Sequence, residues 1–163
     1  MGKGIPLTQG KVALVDDDDF GWLNHYKWCA DKNGRTFYAV RSIPIEDGKH
    51  QLLGMHRMIM QTPNGMDTDH IDGDGLNNQK SNLRICTHQE NLFNRRSNLD
   101  VSSKYKGVSW HKATGKWRAQ IKVNGGLKYI GCYDREEYAA MAYDNNAKEL
   151  YGEFARTSQI TEI

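Results

Sequence analysis

The sequence predicts an α+β protein built from short antiparallel strands and a few short helices. Three observations carry this. Apolar and β-branched runs recur along the chain, each bounded by Gly, Asn or Asp turn signals. Helix-start signals stand at Asp16–Asp19 and at Thr87 with Glu90. The charge is also divided: Lys104, Lys106, Lys112, Lys116, Arg118, Lys122 and Lys128 occur with no acidic residue before Asp134, although the net charge is only +2.

Composition narrows the classes. At 163 residues the chain can form one ordinary domain or two small ones. A 10% aromatic content with 4 Trp argues against disorder. The mean hydropathy of −0.76 and the lack of a long apolar run exclude a membrane helix. The N-terminal MGKGIPLTQG has no apolar core of a secretory signal, so a soluble, cytoplasmic protein is expected. Cysteines number 3, an odd count without a CxxC pair, which argues against a disulfide framework or a zinc ribbon.

The elements follow in order. Lys11–Val15 and Thr36–Ile43 read as strands, the second after the turn dipeptide Asn33-Gly34. Asp16–Asp19 precede Phe20, Trp22, Leu23 and Tyr26, as carboxylates do at the positive end of a helix. A metal site is the other reading of the four aspartates, but no second ligand cluster is near in sequence. A short helix over His56–Gln61 stops at Thr62-Pro63-Asn64-Gly65. Met66–Ile71 has too few apolar residues for a core strand, Asp72–Gly75 is a loop, and Asn82–Cys86 is strand-like. Thr87 and Glu90 form a capping box that predicts a helix over His88–Arg96. Beyond the polar stretch from Ser97, the runs 105–111, 116–123 and 127–133 are separated by hairpin-grade turns, and an amphipathic helix over Arg135–Tyr151 ends at Gly152. The expected division is 1–96, a linker at 97–104, and 105–163.

The chemistry concentrates on Asp69-His70, Asn82 and Asn91. Phosphodiester hydrolysis needs an activated water, charge neutralisation and a stabilised leaving oxygen. A histidine can accept the water's proton near neutral pH. A divalent cation held by hard oxygens supplies the rest, and Asp69 and the Asn91 carbonyl are such ligands. In this reading Asn82 stabilises the geometry that gives the His70 imidazole its second hydrogen-bond partner. Taken alone, DHIDGDG is equally an Asp/Gly-rich turn, or a calcium loop without its bidentate Glu.

The wider string His56 … DHIDGDGLNN … NLR … ENLFN resembles the HNH endonucleases, in particular phage and intron-encoded homing enzymes, over about residues 55–96. The resemblance implies a ββα-metal hairpin that cleaves DNA with a divalent cation, Mg²⁺ foremost and Mn²⁺ as second choice. It assigns His70 and Asn82 as catalytic and Asp69 and Asn91 as metal ligands. Asn91 stands where the family's third motif residue is histidine, a replacement frequent among phage members, and His88 is an alternative ligand. Asn77 and Asn78 match a turn-stabilising LNN. His56-Arg57 match the family's HR, with Arg57 expected on DNA and His56 either packed or on phosphate. Residues 1–54 resemble the N-terminal extension of such phage enzymes and are expected to pack on the hairpin, which is too small to stand alone.

The C-terminal stretch resembles the Apetala-two type DNA-binding domain of plant ethylene-response factors. The matching residues are Tyr105–Val108, Gly115–Lys122, Tyr129–Tyr133 and Ala139–Asp144. The resemblance implies a three-stranded sheet laid in the major groove. Strand alternation separately turns Trp117, Ala119, Ile121 and Val123 toward the helix. It leaves Lys106, Ser109, His111, Arg118, Gln120, Lys122 and Tyr129 for double-stranded DNA. No heptad pattern suggests a dimer, so a monomer that nicks one strand is expected. The rival reading is a DNA-binding regulator whose nuclease hairpin is inert.

Overall fold

In a computed structural model of the chain, residues 2–94, 102–123, 125–158 and 160 are described. The chain divides into two compact units, Met1–Asn91 and Leu92–Ile163. The described residues form a mixed α and β structure with four small antiparallel sheets. Most of the expected linker, residues 97–101, lies outside the described residues, as do Arg95 and Arg96 of the expected helix.

In the first unit, β1 (Gly2–Pro6) pairs with β2 (Val12–Asp16), from Gly2 opposite Asp16 to Pro6 opposite Val12. Residues Ala13 and Val15 alternate inward from β2 while Val12 and Leu14 point outward. Helix α1 (Asp17–Leu23) opens with Asp17, Asp18 and Asp19 in its first turn, as the carboxylate run predicts. Strands β3 (Cys29–Asn33), β4 (Thr36–Pro44) and β5 (His50–Gly54) form a meander ordered β3-β4-β5. Helix α2 (Met55–Met60) ends with Gln61 in the left-handed region at φ 48°. Then β6 (Asp67–His70) and β7 (Leu83–Cys86) form a two-stranded hairpin, followed by α3 (His88–Asn94). Ile5, Ala13, Val15, Leu23, Trp28, Ala39, Met55, Ile59 and Leu83 share one core, so residues 1–54 pack with α2 and the hairpin as expected.

One strand lies outside the sequence reading, and one expectation is corrected. Residues 2–6 are a strand, although two glycines and a proline in five residues hid it. Met66–Ile71 was expected to be no core strand, yet Asp67–His70 is a strand in which Thr68, Asp69 and His70 are buried. Its buried Asp69 and His70 have polar partners, Arg84 and Asn78.

In the second unit, β8 (Val108–His111), β9 (Lys116–Val123) and β10 (Gly126–Tyr133) form a sheet ordered β10-β9-β8. Helix α4 (Glu136–Tyr151) covers one face through Ala139, Ala140, Tyr143 and Ala147, which meet Val108, Ala119 and Ile121. The buried stripe of α4 thus runs through Ala140 and Tyr143, while Leu150 is 40% exposed. Gly107 at φ +72° faces Tyr143 so closely that a Cβ there would lie 2.1 Å from the ring. Only glycine suits that position.

Candidate active site

The hairpin sets the polarity of the site. Strand alternation puts Asp67 and Asp69 on one face of β6 and Thr68 and His70 on the other. Asp69 lies opposite Arg84, whose Nε and Nη2 both donate to Asp69 Oδ2, at 3.0 and 2.7 Å. Asp67 Oδ2 accepts from His88 Nδ1 and from Asn91 Nδ2, each at 3.0 Å. Those donors, Asn91 first, hold the Asp67 carboxyl below its ordinary value. Helix α3 is placed for this by its capping box: Glu90 Oε2 accepts from the Thr87 amide at 2.7 Å and Thr87 Oγ1 accepts from the Glu90 amide at 3.3 Å.

On the other face, His70 is buried among rings. Its centroid is 5.0 Å from His56 and 5.7 Å from Tyr38. Its Nε2 lies 3.4 Å from Asn78 Oδ1. An amide oxygen only accepts, so Nε2 carries the proton and Nδ1 the lone pair. Burial lowers the His70 pKa, with the Asn78 bond and the charges of Asp72, Asp69 and Asp74 opposing. Burial, the His70 ring and Arg57 bring His56 down to about 3. Both imidazoles are therefore neutral at neutral pH.

The loop between the strands is held from two sides. Asn82 Oδ1 accepts from the Asp72 amide at 3.1 Å, and Asn82 Nδ2 donates to Asp72 Oδ1 at 3.0 Å and the Asn77 carbonyl at 2.8 Å. Burial would raise the Asp72 pKa, but the Asp74 amide, Asn77 and Asn82 together hold it low. From the N-terminal side, Leu14 accepts from the Asn78 amide at 2.7 Å and donates to Leu76 at 2.8 Å. Asp16 accepts from the Lys80 amide at 2.8 Å and from Gln79 Nε2 at 3.2 Å, and Lys80 Nζ reaches Asp19 at 2.9 Å. Thr36 Oγ1 accepts from the Gly75 amide at 2.9 Å, where a Cβ would lie 2.5 Å from the Phe37 carbonyl.

The donor set suits a hard divalent cation. Two carboxylates share one face of β6, and the Asn91 side chain is bonded to one of them. Among the described residues no group of three or more His, Cys, Asp or Glu is gathered as a cage. Such an ion would therefore rely on phosphate and water for the rest of its shell.

In the second unit the register defines the face turned away from α4. Cross-strand pairing puts Ser109 beside Arg118, His111 beside Lys116, Tyr129 beside Gln120, Cys132 beside Arg118 and Leu127 beside Lys122. Tyr129 is 57% and Leu127 71% exposed. Trp110 and Trp117 meet edge-on at 5.1 Å as the opposite set.

Comparison with known proteins places the chain. A family model described as HNH endonuclease matches residues 55–93. An uncharacterized HNH endonuclease of Acanthamoeba polyphaga mimivirus is 36% identical over 166 residues, covering 98% of this chain and 79% of that protein. The chain belongs to the HNH endonuclease family. It is an HNH-type DNA endonuclease. Protein 3.8 of Escherichia phage T7 is 36% identical over 94 residues, 58% of this chain and 77% of its own. The AP2-like ethylene-responsive transcription factor TOE2 of Arabidopsis thaliana is 38% identical over 58 residues, 36% of this chain and 12% of that protein. No solved structure matches.

Within this HNH endonuclease the expected residues fall into distinct positions. Asp69 and His70 are adjacent on β6 with opposite faces. Asn91 is engaged with Asp67 rather than with Asp69. Asn82 acts on the loop, and the loop supplies Asn78 to His70. Arg57, expected on DNA, has Nη1 donating to the Met66 carbonyl at 2.8 Å. His56, with packing and phosphate contact both open, is packed against His70. Lys106 departs from the exposed set: its ammonium donates to the Phe93 carbonyl, and burial and Arg156 bring it to about 8. Sequence reasoning missed Asn78 as the partner of His70, Asp67 as the partner of Asn91, and Tyr38. The Asn77-Asn78 pair was the one signal, but it did not say which side chain turns inward.

Proposed function

We propose that this endonuclease is metal-dependent, hydrolyses a DNA phosphodiester at a ββα-metal hairpin, and is directed by a sheet-type reader in its second unit. The observation that carries the reading is a buried, neutral His70 held by Asn78 and next in the chain to Asp69, whose carboxylate shares the other face of β6 with Asp67.

His70 takes the proton of the attacking water, with Nε2–H on Asn78 fixing the tautomer that can do so. Asn82 acts indirectly, by holding the loop that carries Asn78. Asp69 and Asn91 would hold a divalent cation, Mg²⁺ the best match and Mn²⁺ the second. When bound, that cation supplies charge neutralisation at the phosphate and at the leaving oxygen. Arg84, through its two bonds to Asp69 Oδ2, fixes the direction of that carboxylate.

The reader is read as Apetala-two-like. Ser109, His111, Arg118, Gln120, Lys122 and Tyr129 form its DNA face, with Arg and Lys suited to guanine or phosphate and Gln to adenine. The retained role is a homing enzyme that acts as a monomer and nicks one strand. Plasmid cleavage titrated with Mg²⁺ tests the metal assignment. Asp69→Ala and Asn91→Ala should lose activity, and excess Mg²⁺ or Mn²⁺ should rescue Asn91→Ala more than Asp69→Ala. Wild-type metal dependence in both variants would refute it.

A further inference from the structure

An asparagine offers a cation two ends of nearly equal size, and only the carbonyl oxygen can ligate it. Something must therefore hold the amide the right way round. The obvious candidate is the group that its other end touches.

Asn91 Nδ2 donates to Asp67 Oδ2 at 3.0 Å. The same oxygen accepts from His88 Nδ1 at 3.0 Å, one helical turn earlier on α3. An ionised carboxylate only accepts, so a reversed amide would set Asn91 Oδ1 against Asp67 Oδ2 and lose the bond. The helix is itself fixed at this turn, since the Asn91 amide donates to the Thr87 carbonyl at 3.0 Å within the capping box. Asp67 stands two residues before Asp69 on the same face of β6, so the amide is held alongside the carboxylate proposed to share its ligand.

We infer that Asp67 is a positioning residue that sets the polarity of the Asn91 amide, committing its NH₂ to the protein and its oxygen to the cation. This rests on the reading of Asn91 as a ligand. It makes Asp67 the counterpart of the outer partners that orient ligating side chains in metal sites generally.

The test is Mn²⁺ affinity of the full chain, measured by electron paramagnetic resonance and calorimetry, with a random-sequence duplex and a His70→Ala background that stops cleavage. Asp67→Ala should weaken Mn²⁺ binding by roughly 10–100-fold. Asp67→Ala with Asn91→Ala should bind no more weakly than Asn91→Ala alone, because the first residue acts through the second. The exchanged pair Asp67→Asn with Asn91→Asp keeps one amide donor and one carboxylate, and should recover affinity even if Asp67→Ala unfolds. Unchanged affinity in a folded Asp67→Ala would overturn the inference. So would additive losses, which would make Asp67 a ligand itself, or failure of the exchanged pair. If Asn91→Ala binds Mn²⁺ like the parent, or the parent binds none, the ligand reading fails and takes this inference with it. A loss in Asn91→Ala with none in Asp67→Ala overturns the inference alone.

Discussion

The imidazoles of buried His70 and half-buried His56 are 5.0 Å apart, and their neutrality has a cost on acidification. The unfolded chain binds protons near the ordinary histidine pKa of about 6.5, while folded His56 does so only near 3. Between those values the unfolded state holds more protons, so stability falls as pH falls. The slope from one such histidine is up to about 1.4 kcal/mol per pH unit. Denaturant melts from pH 7 to 5 should show this loss, and His56→Phe, which keeps a ring beside His70, should flatten it. An equally steep pH dependence in His56→Phe would contradict the assignment. The partner of His70 is tested at the same scale. Asn78→Ala should lower kcat by about tenfold or more with little change in KM, because the residue positions a base and is itself 0% exposed.

At the scale of elements, the hairpin loop is held by β2 and β4 rather than by itself. Gly75→Ala tests this, because its Cβ would strike the Phe37 carbonyl backbone, which cannot swing aside. Overpacking of this kind costs about 1–3 kcal/mol, so the melting temperature should fall and cleavage with it. A variant as stable and active as the parent would show that the loop does not dock on β4. The elements also show what sequence could tell. Helix α3 was legible because the capping box between Thr87 and Glu90 is a local signal. The strands of the second unit were legible because alternation and turn residues are local too, and the pairing of Gln120 with Tyr129 follows them. Strand β6 was not, since Thr68, Asp69 and His70 are buried by partners far along the chain. The same holds for Asn78: its inward turn depends on a backbone bond from residue 78 to Leu14, a contact no local pattern encodes.

At the scale of the whole molecule, the proposed function has the first unit cut and the second read. Lysine contacts to phosphate release counterions, so binding to duplex DNA should weaken steeply with salt. Lys122→Ala should lower the salt slope by about one, whereas Lys106, turned to the Phe93 carbonyl, should contribute less. Salt-independent binding would assign the second unit to a protein partner instead. On the proposed reading, one Asp69-His70 site cuts one strand per binding event, so supercoiled plasmid should pass first to the open circle, and early linear product with a dimer mass would overturn the monomer reading. The central claim is that His70 is the base of a metal-dependent hydrolysis. Its most direct test is single-turnover cleavage of plasmid by the full chain and by His70→Ala, with Mg²⁺ and with chelator, alongside DNA binding. The account predicts cleavage only with Mg²⁺, a loss of about 10²–10⁴ in rate for His70→Ala, and unchanged binding. Equal cleavage by the two proteins would contradict it.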